Sequence, residues 1–163
     1  MKDDYLYTGV QGGDIIKLKL SAPKEPWQYV TKVSYQKPCS DLHHEEYCGR
    51  ILGLEFDQKG RLYVCDAYYG LYKVDLKTGQ NTALVPSSVI IEGKKNLLTN
   101  SLAISKDGKT IFYTVSSTNF VLHNGVYELL TSPSGRVLKY DVYGNISKVI
   151  FFHEQDMYSG RNL

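Results

Sequence analysis

Apolar and polar residues alternate along this chain in short runs, each broken by a turn containing glycine and then resumed. Gly53-Leu54-Glu55-Phe56 enters Asp57-Gln58-Lys59-Gly60, and Arg61-Leu62-Tyr63-Val64-Cys65-Asp66 leaves it. Ser101-Leu102-Ala103-Ile104, Ser105-Lys106-Asp107-Gly108 and Lys109-Thr110-Ile111-Phe112-Tyr113-Thr114 repeat that grammar. A period of two puts successive side chains on opposite faces of a strand, and glycine takes the positive φ that tight reversals demand, so each segment predicts a β-hairpin. The expected turns lie at Lys59-Gly60 and Asp107-Gly108, and no helix longer than two turns is expected.

A second pair follows each hairpin: Gly70 to Asp75 with Lys77 to Val85, then Gly135 to Asp141 with Tyr143 to Ile150. Tyr5 to Val10 with Gly13 to Leu18 forms a partial copy at the start. Tyr7, Tyr63 and Tyr113 fall in register, 56 and 50 residues apart, a spacing near that of the longer propeller repeats. Recurring four-stranded antiparallel modules predict an all-β chain, a β-propeller of about three four-stranded blades. A β-sandwich with coincidental hairpins has the same short alternating strands, but the order of the repeats favours the propeller.

Composition agrees. The 163 residues include 42% apolar and 22% charged positions, which excludes disorder and fibres, and 14 Tyr and 14 Gly against five Pro suit strands joined by tight turns. A net charge of +2 is too small for the basic field that nucleic acid requires. No run approaches the length of a membrane helix, and Met-Lys-Asp-Asp is the opposite of a cleavable secretory signal.

Five motifs occur in order. Cys48-Gly49-Arg50-Ile51-Leu52-Gly53-Leu54-Glu55-Phe56-Asp57 resembles C-G-R-P-L-G-x-x-F-D, and Asp66-Ala67-Tyr68-Tyr69-Gly70-Leu71 resembles D-A-Y-x-G-L. Leu98 to Leu102 resembles F-T-N-D-L, Tyr113 to Thr118 resembles Y-F-T-D-S-S, and Gly135 to Asp141 resembles G-R-L-L-K-Y-D. In this wording the chain resembles the strictosidine synthase-like propellers, in particular their animal branch of adipocyte plasma membrane-associated proteins and hemomucin. The resemblance implies a six-bladed ring, of which this chain supplies about half: a first blade and disulfide loop in 1–50, a second blade in 51–97, a third in 98–150, and the start of another in 151–163. A fragment or truncated gene product is the expectation, with the signal or anchor missing from its start.

The resemblance also implies roles. Cys39 and Cys48 match a disulfide tying a surface loop, which would stabilise by roughly 2 to 3 kcal/mol in the chain-entropy model. A reduced loop stays open as an alternative. A metal site from His43, His44, Glu45, Glu46 and the two thiols is disfavoured, because adjacent residues converge poorly on one ion and no C-x-x-C is present. Cys65, on an apolar strand, reads as a buried inert thiol. Asn100 matches the strand-entrance Asn that binds calcium in related lactonase and esterase propellers, so Ca2+ is an expected cofactor of the intact parent. One Asn is not a calcium site, however, and Ser101 stands where the family has Asp. The early Glu of the metal-binding propellers is not visible in 1–13, and Asn162-Leu163 only faintly echoes Asn100 to Leu102. The competing role for Asn100 is to cap a turn.

The catalytic Glu of strictosidine synthase itself belongs to later blades, and Glu45, Glu46 and Glu55 are not substitutes for it. No G-x-S-x-G or phosphate-binding glycine loop occurs, and His43, His44, His123 and His153 read as solvated. No catalytic residue is assigned. Asn145-Ile146-Ser147 is a glycosylation sequon on a turn. Tyr68 and Tyr69 stand beside the inner-strand exit, where a channel ligand would touch them, although sheet packing also accounts for tyrosines. The parent is expected to be an arylesterase- or lactonase-type hydrolase taking a small ester or lactone, placed in the secretory pathway, either extracellular or held at a membrane by an anchor absent from this chain. A non-catalytic cell-surface binding glycoprotein is the alternative, and amine–aldehyde condensation of the strictosidine synthase type is a distant third.

Overall fold

A computed structural model describes residues 3–33, 45–131 and 133–152. β1 (Tyr5–Gly9), β2 (Asp14–Lys19) and β3 (Gln28–Lys32) form the first sheet. After a single helical turn, α1 (Glu45–Cys48), the second sheet runs in chain order through β4 (Ile51–Phe56), β5 (Leu62–Asp66), β6 (Gly70–Val74) and β7 (Asn81–Pro86). The third contains β8 (Thr99–Ile104), β9 (Thr110–Val115), β10 (Arg136–Asp141) and β11 (Ile146–Phe152). Every pairing is antiparallel between consecutive strands. The fold is an all-β propeller fragment of three blades.

The first blade departs from the expected four strands, with three among the described residues. Register shows which positions its three strands take. Tyr7 of β1 faces Lys17 as Tyr63 of β5 faces Lys73, so β1 occupies the second-strand position and no described strand lies inside it.

The two cores lie between blades. Leu62 and Val64 pack with Ile15, Val33 and Tyr72 toward the first blade, whereas Tyr63 and Cys65 pack with Ile111, Tyr113 and Leu138 toward the third. All five residues of β5 are therefore buried, and the strand reads as a continuous apolar run because both of its faces are covered. Each such large side chain contributes roughly 1.5 to 3 kcal/mol on leaving water. Where the inner strands β4 and β8 approach, a Cβ at Gly53 would fall 2.7 Å from the Asn100 carbonyl oxygen and 2.9 Å from the Ser101 Cα. Only glycine fits that contact.

Gly60 and Gly108 take φ of 73° and 67° in the turns expected for them. The expectation of no helix beyond two turns fails between β9 and β10, where Leu122–Leu130 forms a nine-residue 3-10 helix. This segment lacks two-residue alternation. Its apolar Leu122, Val126 and Leu129 recur at helical spacing, and its hold comes from polar anchors rather than burial, since none of its residues is buried.

Candidate functional site

The longer connections gather at one end of the sheets, where β4 and β8 begin and β5 and β9 finish. Asp66 closes β5 there, and its Oδ1 accepts the backbone N–H groups of Tyr68 at 2.9 Å and Tyr69 at 3.0 Å, turning the chain into β6. The residue is fully buried, and Oδ2 has no hydrogen-bond partner among the described residues. It lies against Gly49, where a Cβ would come within 2.6 Å of it. Burial pushes this carboxyl up to about 6 against the pull of the Tyr68 and Tyr69 N–H groups, and the charge of Glu45 adds to the rise. The Arg50 N–H favours the charge without forming a well-aligned bond.

Glu45, from α1, accepts Arg50 Nη1 at 3.1 Å on Oε1 and the Tyr68 hydroxyl at 3.2 Å on Oε2. Tyr69 donates its hydroxyl to the Tyr47 carbonyl at 2.9 Å. Both tyrosines are half-buried, with their hydroxyls clamping α1 to the strand ends. Burial first, and Glu45 second, raise the Tyr68 phenol, and the backbone of His123 reaches the same group from the 3-10 helix.

Asn100 stands near the start of β8, half-buried, and donates Nδ2 to Ser116 Oγ at 3.0 Å across the β8–β9 junction. Two polar anchors hold its surroundings. Arg136, only 5% exposed, donates Nη1 to the Ile91 carbonyl at 2.7 Å. Its Nη2 bonds the carbonyls of Lys94 and Lys95 and Oδ1 of Asn96 at 3.2, 3.1 and 3.0 Å. The guanidinium thereby fastens the segment entering β8 onto β10, although burial holds its pKa below the ordinary arginine value. Glu128 anchors the 3-10 helix: Oε2 accepts the Ser117 hydroxyl at 2.6 Å, and Oε1 accepts the Ser134 N–H and hydroxyl, each at 2.5 Å. Burial alone would raise this carboxyl, but the Ser117 and Ser134 bonds outweigh it and hold the group below the usual range.

Between these anchors lies a hollow of ≈ 320 Å³ lined by Thr114, Ser116, Glu128, Gly135, Val137 and Phe151. Its walls are largely apolar, with Ser116 and Glu128 as polar points, the usual make-up of a small-molecule pocket. The structure thus joins Asn100 to this hollow through Ser116 and sets Tyr68 and Tyr69 against α1. A larger cleft of ≈ 440 Å³ at the opposite end of the second blade is lined by Lys59, Arg61 and Lys77 on open turns and by Lys73 of β6, with no buried polar group to define a ligand.

The calcium expected of the intact parent requires six to eight oxygens. Around Asn100 the described residues provide one amide and neighbouring hydroxyls, and among them no three His, Cys, Asp or Glu side chains converge as a metal group would need. They do not fit the ion, and no chemistry is routed through it. Cys48 is buried and disulfide-bonded. Cys39 lies outside the described residues, as do His43, His44, His153, Asn162 and Leu163, so its pairing with Cys48 stands as a proposal. Cys65 is a free, fully buried thiol whose pKa burial drives upward, and it donates weakly to the Ser101 carbonyl at 3.6 Å. Asn145 sits exposed on the β10–β11 turn.

Asp66, Arg136 and Glu128 were not singled out by pattern. The signal was present for Asp66, a charged residue at the end of an otherwise apolar strand, whereas β10 carries Lys139 and Asp141 as well as Arg136. Nothing local marks Glu128.

No protein-family profile matches the chain. Among curated proteins it is 38% identical over 154 residues to the Drosophila melanogaster adipocyte plasma membrane-associated protein Hemomucin, covering 91% of this chain and 25% of that one. It is 34% identical to the adipocyte plasma membrane-associated protein of Gallus gallus and 32% to that of Homo sapiens, covering 90% of this chain and 34% of each relative. The chain belongs to the strictosidine synthase-like family. It spans between a quarter and about a third of these family members. Among solved structures it superposes on a gluconolactonase from Xanthomonas campestris with a TM-score of 0.60 at 15% identity, over 91% of this chain and 43% of that one. A chain of a nidogen/laminin complex gives 0.58 at 18% identity, over 90% and 44%. At such identity the likeness is one of fold. Names in the family point to membrane-associated or secreted proteins, and no described helix here is long and apolar enough to cross a membrane.

Proposed function

We propose that this chain is part of a propeller whose complete form is an arylesterase- or lactonase-type hydrolase in the secretory pathway, taking a small ester or lactone. The observation that carries the reading is the ≈ 320 Å³ hollow across the ends of β9, β10 and β11 in the third blade, its Ser116 held by Asn100 of β8 and its rim fastened by Glu128 and Arg136. Such a hollow suits a small, mostly apolar acyl or lactone group, with Ser116, positioned by Asn100, as a hydrogen-bonding point that orients it. These groups bind and orient; none of them is assigned the chemical step.

A non-catalytic cell-surface binding protein is the second reading, and the largely apolar lining of the hollow among the described residues favours it. Hydrolysis of phenyl acetate and of a simple lactone, measured for the isolated chain and for a longer protein containing it, separates the two. The expected result is turnover by the longer protein, loss of at least tenfold on Asn100→Ala, and background rates for the isolated chain. A longer protein that binds these compounds in the hollow without turnover overturns the hydrolase reading.

A further inference from the structure

We propose that Asn145 carries an N-linked glycan and that Tyr143 is the surface on which its first sugar packs; the inference rests on the secretory placement above. The Asn145-Ile146-Ser147 sequon falls on the tip of the β10–β11 hairpin, at the outer edge of the third blade. The tip is rigid. Asp141 Oδ1 accepts the N–H groups of Tyr143 at 2.9 Å and Gly144 at 3.0 Å, and the Asp141 carbonyl accepts that of Asn145 at 2.9 Å. Asn145 takes φ of 51°, a left-handed conformation that Asn tolerates well.

The side chain is held one way round. The Tyr140 hydroxyl donates to Oδ1 at 2.7 Å, while Nδ2 has no protein partner among the described residues. The nitrogen that a glycosyl transfer would modify is therefore the free end of the amide, and a sugar there displaces no contact of the fold. In that transfer the Nδ2–C1 bond forms as the C1–O bond to a lipid-linked oligosaccharide pyrophosphate breaks. Nδ2 gives up a proton, and the lipid pyrophosphate leaves with the electron pair.

Tyr143, two residues before the acceptor, is 66% exposed on the same turn. An aromatic ring so placed has no core to pack against, and its apolar face suits the C–H face of a pyranose. Ile146, 55% exposed on the other side of Asn145, extends the apolar footing.

The test is to express residues 1–163 behind a cleavable secretory signal in a glycosylating host. The supplied signal makes a failure at Asn145 independent of whether the family's membrane placement carries over. Intact mass and peptide mapping should show a glycan at 145, removed by peptide-N-glycosidase F with conversion to Asp. Asn145→Asp, which keeps an acceptor for Tyr140, should abolish it. The glycosylated chain should melt about 2–4 °C above its enzymatically deglycosylated form, and Tyr143→Ala should erase that difference while leaving occupancy intact. An unmodified Asn145 in chain that has entered the pathway overturns the site. A melting difference that survives Tyr143→Ala, or is absent from the wild type, overturns the role of the ring.

Discussion

Asp57, Asp75, Asp107 and Asp141 at one end of the sheets, and Asp66 at the other, use one local device: a carboxylate accepting backbone N–H groups two or more residues ahead. The outcome is opposite. The four turn aspartates are held below the ordinary carboxylate value, whereas Asp66 is raised to about 6. Asp75, Asp107 and Asp141 stand in water, where the Ser105 hydroxyl at Asp107 and the backbone N–H groups at all three act almost unopposed. Asp57 is buried, but its burial is outweighed by bonds from Arg61 and Lys59. Asp66 is buried more deeply, with one oxygen unpartnered, and for it desolvation wins. The hairpin end is thus optimised for stability, while the inner-strand end tolerates an unfavourable charge, a pattern associated with functional sites.

The largest expected effect comes from removing that charge. Because the folded chain holds a proton on Asp66 that the unfolded chain releases, raising the pH from about 3.8 to about 6 weakens the fold, by on the order of 3 kcal/mol over the whole window. Asp66→Asn keeps the acceptor for Tyr68 and Tyr69 and should lose this slope, gaining stability at pH 7. Denaturant melts at pH 5 and 7 check it, and equal slopes in the two proteins would show that the carboxyl is not raised.

Asp57→Ala attacks the compensated member. It strips Arg61 of its ion pair and two backbone N–H groups of their acceptor, and should lower stability by about 2 kcal/mol. Its sign with pH is the reverse of that at Asp66. The folded pKa lies below 3.8, so the contribution is complete above that pH and fades as the pH falls through the folded value. A variant that melts like wild type at pH 7 refutes the compensation.

Glu128→Gln tests the inner-strand end without touching Asp66. Loss of the charge-assisted bonds from Ser117 and Ser134 should raise hydrogen exchange across 117–131 about tenfold while leaving the sheets protected. Global unfolding instead of local opening would mean that the 3-10 helix is integral to the third blade. The smallest effect belongs to Asp107→Ala, at an exposed turn, where a slight drop in melting temperature is expected. A large drop there would erase the contrast between exposed and buried turns.

Most of the fold was legible in the chain because hairpins are local. Gly60 and Gly108 mark turns, and alternation around them marks strands, so β4, β5, β8 and β9 could be placed from the sequence. The 3-10 helix was missed because its anchors, Ser117, Glu128 and Ser134, are scattered polar residues with no periodic signature. Of the candidate site, Asn100 was found through a motif, while its partner Ser116 and the hollow beside it follow from pairing between β8 and β9.

What the sequence alone determined is the strand order, the hairpin turns and the family, since each depends on near neighbours or on wording preserved along the chain. What only the tertiary structure decided is the character of individual groups. Asp57 and Asp66 are both followed by residues that donate N–H groups; an arginine four residues on stands only after Asp57, and the burial of Asp66 has no local sign. The difference lies in Arg61 folding back over one and in the α1–β4 junction sealing the other from water. Burial and partnership are sums over residues distant in the chain, and a carboxyl's proton affinity follows that sum.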